Sequence, residues 1–322
     1  MCDLSEGTIS LTAPESKKVE LIAAMLGLDV RSVSHIGRWA TSSAWRVVDR
    51  DSTFVVRLIP EGTPRPNTYQ SEFNVLRLLW SRGLKVPEPI AISGDTPGVS
   101  GVSEPWAVTR CADGRAVGRN RLADSAACEL GKFLHTLHEI EVTGFGRLVE
   151  KPRVIAGRKD THISGLMDRW CWAGLWPYDD APLANHAIAK LRPDALSRLE
   201  LFGHEIAGLA RVNHVSLVHS DLHGEHIFES NGHLSGVIDF GAAFVGLPAW
   251  DFGSIAFYHG WDTAIRCMNG YSSTAVQDIG WQARLMSLVI ALYKLARADS
   301  TETSQAKVQR ILKFIDETLS AI

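Results

Sequence analysis

The sequence predicts an α+β fold in two parts. A small antiparallel β lobe covers residues 1–110, and a larger, mainly helical lobe covers 111–322. Three observations predict it. Strand-like and helix-like runs are segregated along the chain rather than alternating, which argues against a doubly wound sheet. The character changes near residues 110–122, from short β-rich runs to long stretches of helical periodicity. The length of 322 residues, 45% of them apolar, suffices for one large core or two lobes.

Composition narrows the class further. A net charge of −3 gives no electrostatic case for nucleic acid or an anionic membrane. Cys2, Cys111, Cys128, Cys171 and Cys267 are scattered and lack CxxC spacing. That excludes a disulfide framework or a cysteine-rich zinc module and fits a reducing cytoplasm. The first residues show neither a basic n-region nor an apolar h-region, so no signal peptide is expected. Cytoplasmic location follows, with small-molecule partners and a monomer or dimer.

In chain order, residues 14–27 place Val19, Leu21, Ile22, Met25 and Leu26 at helical spacing. Residues 43–48 and 53–59 form a hairpin about the turn Asp49-Arg50-Asp51. Residues 69–82 are helical, with Phe73, Leu76, Leu79 and Trp80 on one face. Two more strands, 90–93 and 106–109, flank a Gly/Ser/Pro loop. These make a sheet with one packed helix. Next, 126–140 is a helix with Leu130, Phe133, Leu134, Leu137 and Ile140 apolar, and 143–162 read as loop. Helices resume at 163–176, 183–191 and 195–210, and again over 254–269 and 274–322. A small hairpin inserted among them carries Ile227 and Phe228, then the turn Ser230-Asn231-Gly232.

That hairpin joins two carboxylates in apolar frames. Asp221 follows the run 215–218 in His219-Ser220-Asp221-Leu222-His223-Gly224-Glu225-His226. Asp239 ends Val237-Ile238 and precedes Phe240-Gly241. This layout matches the catalytic core of a kinase: one carboxylate takes the proton of an attacking hydroxyl, and the next holds magnesium on nucleotide phosphates. Kinases usually place Asn five residues after the first Asp, where this chain has His226. Imidazole suits manganese or zinc better than magnesium, so Mn2+ is an alternative to Mg2+. A zinc site of His219, His223 and His226 is the competing reading. His219 is expected to brace the loop, and His223 to contact substrate or phosphate. Asp251, in Trp250-Asp251-Phe252-Gly253, is expected to accept hydrogen bonds from the loop backbone or to cap a helix.

In the small lobe, Arg57 ends the run Phe54-Val55-Val56 and is expected to reach nucleotide phosphates, with Glu72 pairing to it. Ser42 and Ser43, in a loop before the first strand, offer hydroxyls and amides to phosphates. Backbone groups of Thr109 and Cys111 are candidates for a purine edge.

These residues resemble the aminoglycoside phosphotransferase family of small-molecule kinases. His-Ser-Asp-Leu-His-Gly-Glu-His, Ile-Asp-Phe-Gly and Trp-Asp-Phe-Gly carry the resemblance, together with Val55-Val56-Arg57 and the helix Leu130–His138 followed by Thr143-Gly144-Phe145-Gly146. The resemblance implies a bilobal protein-kinase-like fold, ATP or GTP as donor, magnesium, Asp221 as base and Asp239 as metal ligand. It also implies an antibiotic hydroxyl as acceptor, an aminoglycoside foremost, giving resistance. Macrolide phosphotransferases look as if they share the histidine at position 226, so a macrolide or peptide antibiotic is an alternative. A metabolic sugar or amino-alcohol kinase is another, and an idle nucleotide-binding module a third. Acids expected to line an aminoglycoside cleft are Asp160, Asp168, Asp179, Asp180, Glu225 and Asp262. Trp170, Trp172, Trp176 and Tyr178 offer stacking surfaces.

Overall fold

The computed structural model describes residues 13–322, apart from 40–41, 61–62, 64–67, 119, 170–182, 212–214, 273, 299–301 and 322. The chain divides into two compact units. The first comprises 1–80 and 87–111, and the second 81–86 and 112–322.

The first unit holds α1 (Ala13–Met25), then β1 (Ser32–Arg38), β2 (Ser43–Val48) and β3 (Thr53–Leu58), then α2 (Gln70–Ser81), β4 (Pro89–Ile92) and β5 (Trp106–Arg110). Its strands pair antiparallel in the order β1-β2-β3-β5-β4. β3 shows the expected alternation, with Phe54, Val56 and Leu58 buried. These side chains share a core with Trp45, Val47, Trp106 and Val108, and with Val19, Ile22 and Ala23 of α1. So α1 packs on this sheet, where one packed helix was expected. β1 was not foreseen. It is an edge strand in which no residue is fully buried, and its Ile36 is 51% exposed, so no apolar alternation marks it. In α2, Phe73, Leu76 and Leu79 are buried, but Trp80 is 46% exposed.

The second unit begins with β6 (Arg115–Ala116) and α3 (Asp124–His138). Residues 143–162, read as loop, instead contain β7 (Phe145–Leu148) and β8 (Gly157–Lys159). Four and three residues are too short to show a period. α4 (His162–Arg169), α5 (Ala187–Leu191) and α6 (Leu196–Leu209) follow. Then come β9 (Ser216–Val218), β10 (Ile227–Ser230), β11 (His233–Val237) and β12 (Phe244–Gly246). Two antiparallel sheets result, ordered β11-β10-β6 and β8-β7-β12-β9. Asn231 and Gly232, at φ 50° and 79°, make the β10–β11 turn, as that dipeptide allows. The chain ends in α7 (Ala249–His259), α8 (Trp261–Tyr271), α9 (Ala275–Ala296) and α10 (Glu302–Ser320). Gly260 splits α7 from α8 within the stretch 254–269 expected to be mostly helical. No helix among the described residues is long and apolar enough to cross a membrane.

α3 and α8 cross at very close range. A Cβ on Gly131 would stand 1.9 Å from the Cys267 carbonyl oxygen, and one on Gly270 would stand 2.1 Å from that of Cys128. Only glycine fits at either point. The apolar face of α3 is otherwise as expected, with Leu130, Phe133, Leu134 and Leu137 buried.

Burial also sets the response to acid. His186, His219, His223 and His259 are all pushed below the usual imidazole range, in each case chiefly by desolvation, His223 to about 4. Folded, these rings stay neutral while the unfolded chain takes up protons near pH 6.5. Stability is therefore present above pH ~6.5 and lost as pH falls from there towards 4. The thermal midpoint is expected to fall by several degrees between pH 7.5 and 5, at roughly 2–4 °C per kcal/mol. A flat profile in a scanning calorimeter would contradict this.

Candidate active site

The segment between β9 and β10 is fixed through its backbone. Asp251, fully buried near the start of α7, accepts from the N–H of His219 (3.0 Å) and of Ser220 (2.7 Å) on its two oxygens. His138, at the end of α3 and equally buried, approaches the same carboxylate, Nε2 to Oδ2 at 3.0 Å. His219 Nε2–H donates to the Ile238 carbonyl (2.9 Å), and its Nδ1 accepts from Asp221 N–H (3.3 Å). Its neutral ring, kept so by burial, thus ties the Asp221 loop to the strand end before Asp239. Ser220 adopts φ 68°, in the left-handed region, and its hydroxyl donates to the Ala242 carbonyl at 2.8 Å. Strain of this kind persists where surrounding bonds over-determine it.

The Asp221 carbonyl accepts from the His223 N–H (3.0 Å) and from His226 Nδ1 (2.9 Å). A carbonyl only accepts, so His226 carries its proton on Nδ1. Its Nε2 lone pair then lies 3.3 Å from Asp239 Oδ2. A proton on Nε2 would make this a direct ion pair; with Nε2 bare, both atoms can turn to a cation, so the pair fits a divalent metal ion. Asp239 itself sits at φ 64°, ψ 67°, with Oδ1 accepting from Gly241 N–H. His223 has the opposite tautomer. Its Nδ1 accepts from Glu225 N–H (3.3 Å), which puts the proton on Nε2, 3.9 Å from Asp221 Oδ2. Although Asp221, His223 and His226 are close enough together to hold a metal, His223 in this tautomer presents an N–H and not a lone pair. That weighs against the zinc reading. The charge of Lys294 adds to the burial that keeps His223 neutral.

A cavity of about 450 Å³ adjoins Asp221. Among its walls are Tyr258 of α7, Tyr293, Lys294 and Arg297 at the end of α9, and Lys307 of α10. The Tyr258 ring also meets the His223 ring edge-on, centroids 5.5 Å apart. None of Asp160, Asp168, Glu225 and Asp262 lines this cavity. Asp168 is instead held by Arg158 through two contacts of 2.5 Å, and the side chains of Asp160, Glu225 and Asp262 are exposed. Trp170, Trp172, Trp176, Tyr178, Asp179 and Asp180 lie outside the described residues.

In the first unit, Arg57 of β3 donates to Glu72 of α2 at 2.6 Å and lies 4.9 Å from the Tyr69 ring centroid. Glu72 is buried and Arg57 half-buried. Ser43 is not in a loop. It opens β2, fully buried, while Ser42 accepts from Trp39 N–H. Thr109 of β5 pairs with Val55 of β3 and Pro89 of β4, and the N–H groups of Arg110 and Cys111 go to the Glu88 and Thr53 carbonyls. Of the Thr109 and Cys111 backbone groups expected to meet a purine edge, the Cys111 N–H is thus engaged inside the unit.

Sequence reasoning missed His138 as a site residue. Its signal was slight: a histidine at the C-terminal turn of an amphipathic helix, ordinarily a capping residue. It also missed the cavity cations, because charges on terminal helices usually mean a solvated face.

The model of the phosphotransferase enzyme family matches residues 33–286. No curated protein sequence matches the chain significantly. Solved structures with a similar fold include the GDP complex of aminoglycoside 2'-phosphotransferase-IIIa, at 17% identity and TM-score 0.64, covering 95% of this chain and 98% of that one. Another is a thermostable mutant of aminoglycoside phosphotransferase APH(4)-Ia with ADP and hygromycin B, at 17% identity and TM-score 0.60, covering 94% and 97%. A third is spectinomycin phosphotransferase with ADP and spectinomycin, at 14% identity and TM-score 0.59, covering 94% and 93%.

Proposed function

Since the chain belongs to the phosphotransferase enzyme family, we propose that it transfers the γ-phosphoryl group of ATP or GTP to a hydroxyl of a small-molecule antibiotic or related metabolite. The observation that carries this reading is the Asp221 carboxylate beside an open cavity, on a loop whose backbone is bonded from both sides and which also orients the His226–Asp239 pair. Positioning of this kind is most of what phosphoryl transfer asks of a protein.

In the reaction, the acceptor oxygen bonds to the γ-phosphorus as the bond from phosphorus to the β–γ bridging oxygen breaks. The bridging oxygen keeps the electron pair and leaves on the nucleoside diphosphate. Asp221 holds the hydroxyl by a hydrogen bond and takes its proton late. His226 Nε2 and Asp239 are the atoms that would hold magnesium or manganese. A divalent cation bound there supplies charge neutralisation on the phosphate oxygens. Arg57 is assigned to the nucleotide phosphates, supported by its fixed position between Glu72 and Tyr69.

Arg57→Ala is expected to raise KM for nucleotide about tenfold or more, consistent with a lost charge-assisted contact, with little change for the acceptor. Glu72→Gln should do so more mildly. Steady-state kinetics with each substrate varied in turn decides this, and an effect confined to the acceptor would place Arg57 elsewhere.

The structural relatives favour an aminoglycoside acceptor, since hygromycin B and spectinomycin are what two of them bind. The deciding experiment supplies ATP and GTP separately with aminoglycosides, macrolides, peptide antibiotics, sugars and amino alcohols, reading nucleoside diphosphate release. Turnover of any of them that needs a divalent cation supports the kinase reading. Nucleotide binding without turnover of any would leave only the idle module.

A further inference from the structure

We propose that Ser254 is a second anchor for the acceptor: its hydroxyl hydrogen-bonds an acceptor hydroxyl other than the one that meets Asp221, so the enzyme selects acceptors with at least two. This rests on the phosphotransferase reading and names a specificity-determining residue for the same site. Ser254 lines the cavity together with Ser220 and Asp221, although the residue is only 1% exposed. A buried helical hydroxyl ordinarily returns to its own helix, donating to a carbonyl three or four residues back. Thr263 of α8 does so to the His259 carbonyl (3.1 Å), and Ser287 of α9 to that of Arg284 (2.7 Å). No described residue pairs with the Ser254 hydroxyl. Its oxygen is not shut inside the packing either, as that of Ser43 is, and the cavity is where it opens. A serine hydroxyl donates once and accepts as well, and another hydroxyl matches both capacities.

α7 holds this hydroxyl in register with the reacting carboxylate. Asp251, Ser254 and Tyr258 are spaced by three and then four residues, so they share one face of the helix. Asp251 accepts from the N–H groups of His219 and Ser220, immediately before Asp221, while Ser254 and Tyr258 line the cavity. Gly253 keeps that helix hard against α9. A Cβ there would stand 2.9 Å from the Ser287 backbone nitrogen and 3.0 Å from the Ala283 carbonyl oxygen. One helix thus carries both the anchor of the catalytic loop and the second anchor of the acceptor. The span between the two acceptor contacts is set by a rigid element. A site built to hydrogen-bond a substrate group rejects the analogue that lacks it, because the partner on the protein is then left unpaired.

The test supplies the whole enzyme with magnesium and ATP or GTP, and with acceptors paired so that one hydroxyl separates them. Kanamycin B and tobramycin, erythromycin A and erythromycin B, D-glucose and its monodeoxy sugars, and serinol and alaninol are such sets. With the acceptors that turn over, Ser254→Ala is expected to raise acceptor KM about tenfold, with kcat within about threefold and nucleotide KM within about twofold. Loss of one particular acceptor hydroxyl should cost the parent a similar factor and cost Ser254→Ala little more, which marks a direct contact between the two groups. Ser254→Thr keeps the hydroxyl and should recover most of the loss. Alanine is a better helix former than serine, so the fold is not at stake, and a melting curve checks it. An acceptor KM that ignores Ser254→Ala would overturn the proposal while leaving the kinase reading standing. So would losses from Ser254→Ala and from the missing hydroxyl that multiply in every pair, or turnover confined to acceptors with a single hydroxyl. No turnover of any acceptor would overturn both.

Discussion

Asp221→Ala is expected to lower kcat by about two to four orders of magnitude, the range for loss of a general base, with nucleotide affinity and thermal stability close to those of the parent. The separation follows from which atoms do what. The loop is held by the Asp221 N–H and carbonyl, through His219, His223 and His226, and by Asp251 from behind. The neutral His223 ring stands with Nε2 3.9 Å from the Asp221 carboxylate, too far for a hydrogen bond. Truncation at Cβ therefore removes the proton acceptor and leaves the frame. Titration calorimetry with nucleotide and a melting curve, run beside the rate, check this. Turnover near that of the parent would end the assignment of Asp221 as base.

Asp239→Asn should abolish turnover and weaken metal–nucleotide binding together, by several kcal/mol in the transition state and so roughly two or three orders in rate. Asparagine is the informative replacement because the position sits at φ 64°, and Asn tolerates left-handed backbone where most residues do not. Asn also keeps an oxygen to accept from Gly241 N–H. The change then reports the lost charge and not a broken turn. Asp239→Ala, by contrast, adds backbone strain and confounds the two. Unchanged nucleotide affinity in magnesium and an unchanged rate would together remove Asp239 from the phosphate chemistry.

The Asp221–Asp239 segment was legible because its parts lie within one short stretch of chain. Apolar runs give the strands β9 and β11, Asn231-Gly232 gives the turn, and the polar loop between has few other duties. The helices α2 and α3 were equally plain from their apolar spacing. β1 was not, since its alternation in exposure is carried by Val33, His35 and Gly37 and so does not show as apolar alternation in the sequence. The strands within 143–162 were too short for any period. Ser43 illustrates a different limit: the sequence places it both at the start of the strand 43–48 and in a phosphate-facing loop, and the pairing with β1 and β3 decides for the buried strand. The cavity cations fall in a third class. Lys294, Arg297 and Lys307 lie more than seventy residues from Asp221, and nothing local distinguishes them from the ordinary wet side of a helix.

The glycine crossing of α3 and α8 reaches further than helix packing. α3 ends at His138, His138 approaches Asp251, and Asp251 sets the height of the peptide that presents Asp221. Gly131→Ala or Gly270→Ala must pry α3 from α8, and that displacement has a lever arm ending in the reaction centre. In a library of random variants selected for activity, these two glycines should therefore score with the catalytic carboxylates, although neither lines the cavity beside Asp221. A map of functional sensitivity for this enzyme should be drawn along its helices as well as around its cavity.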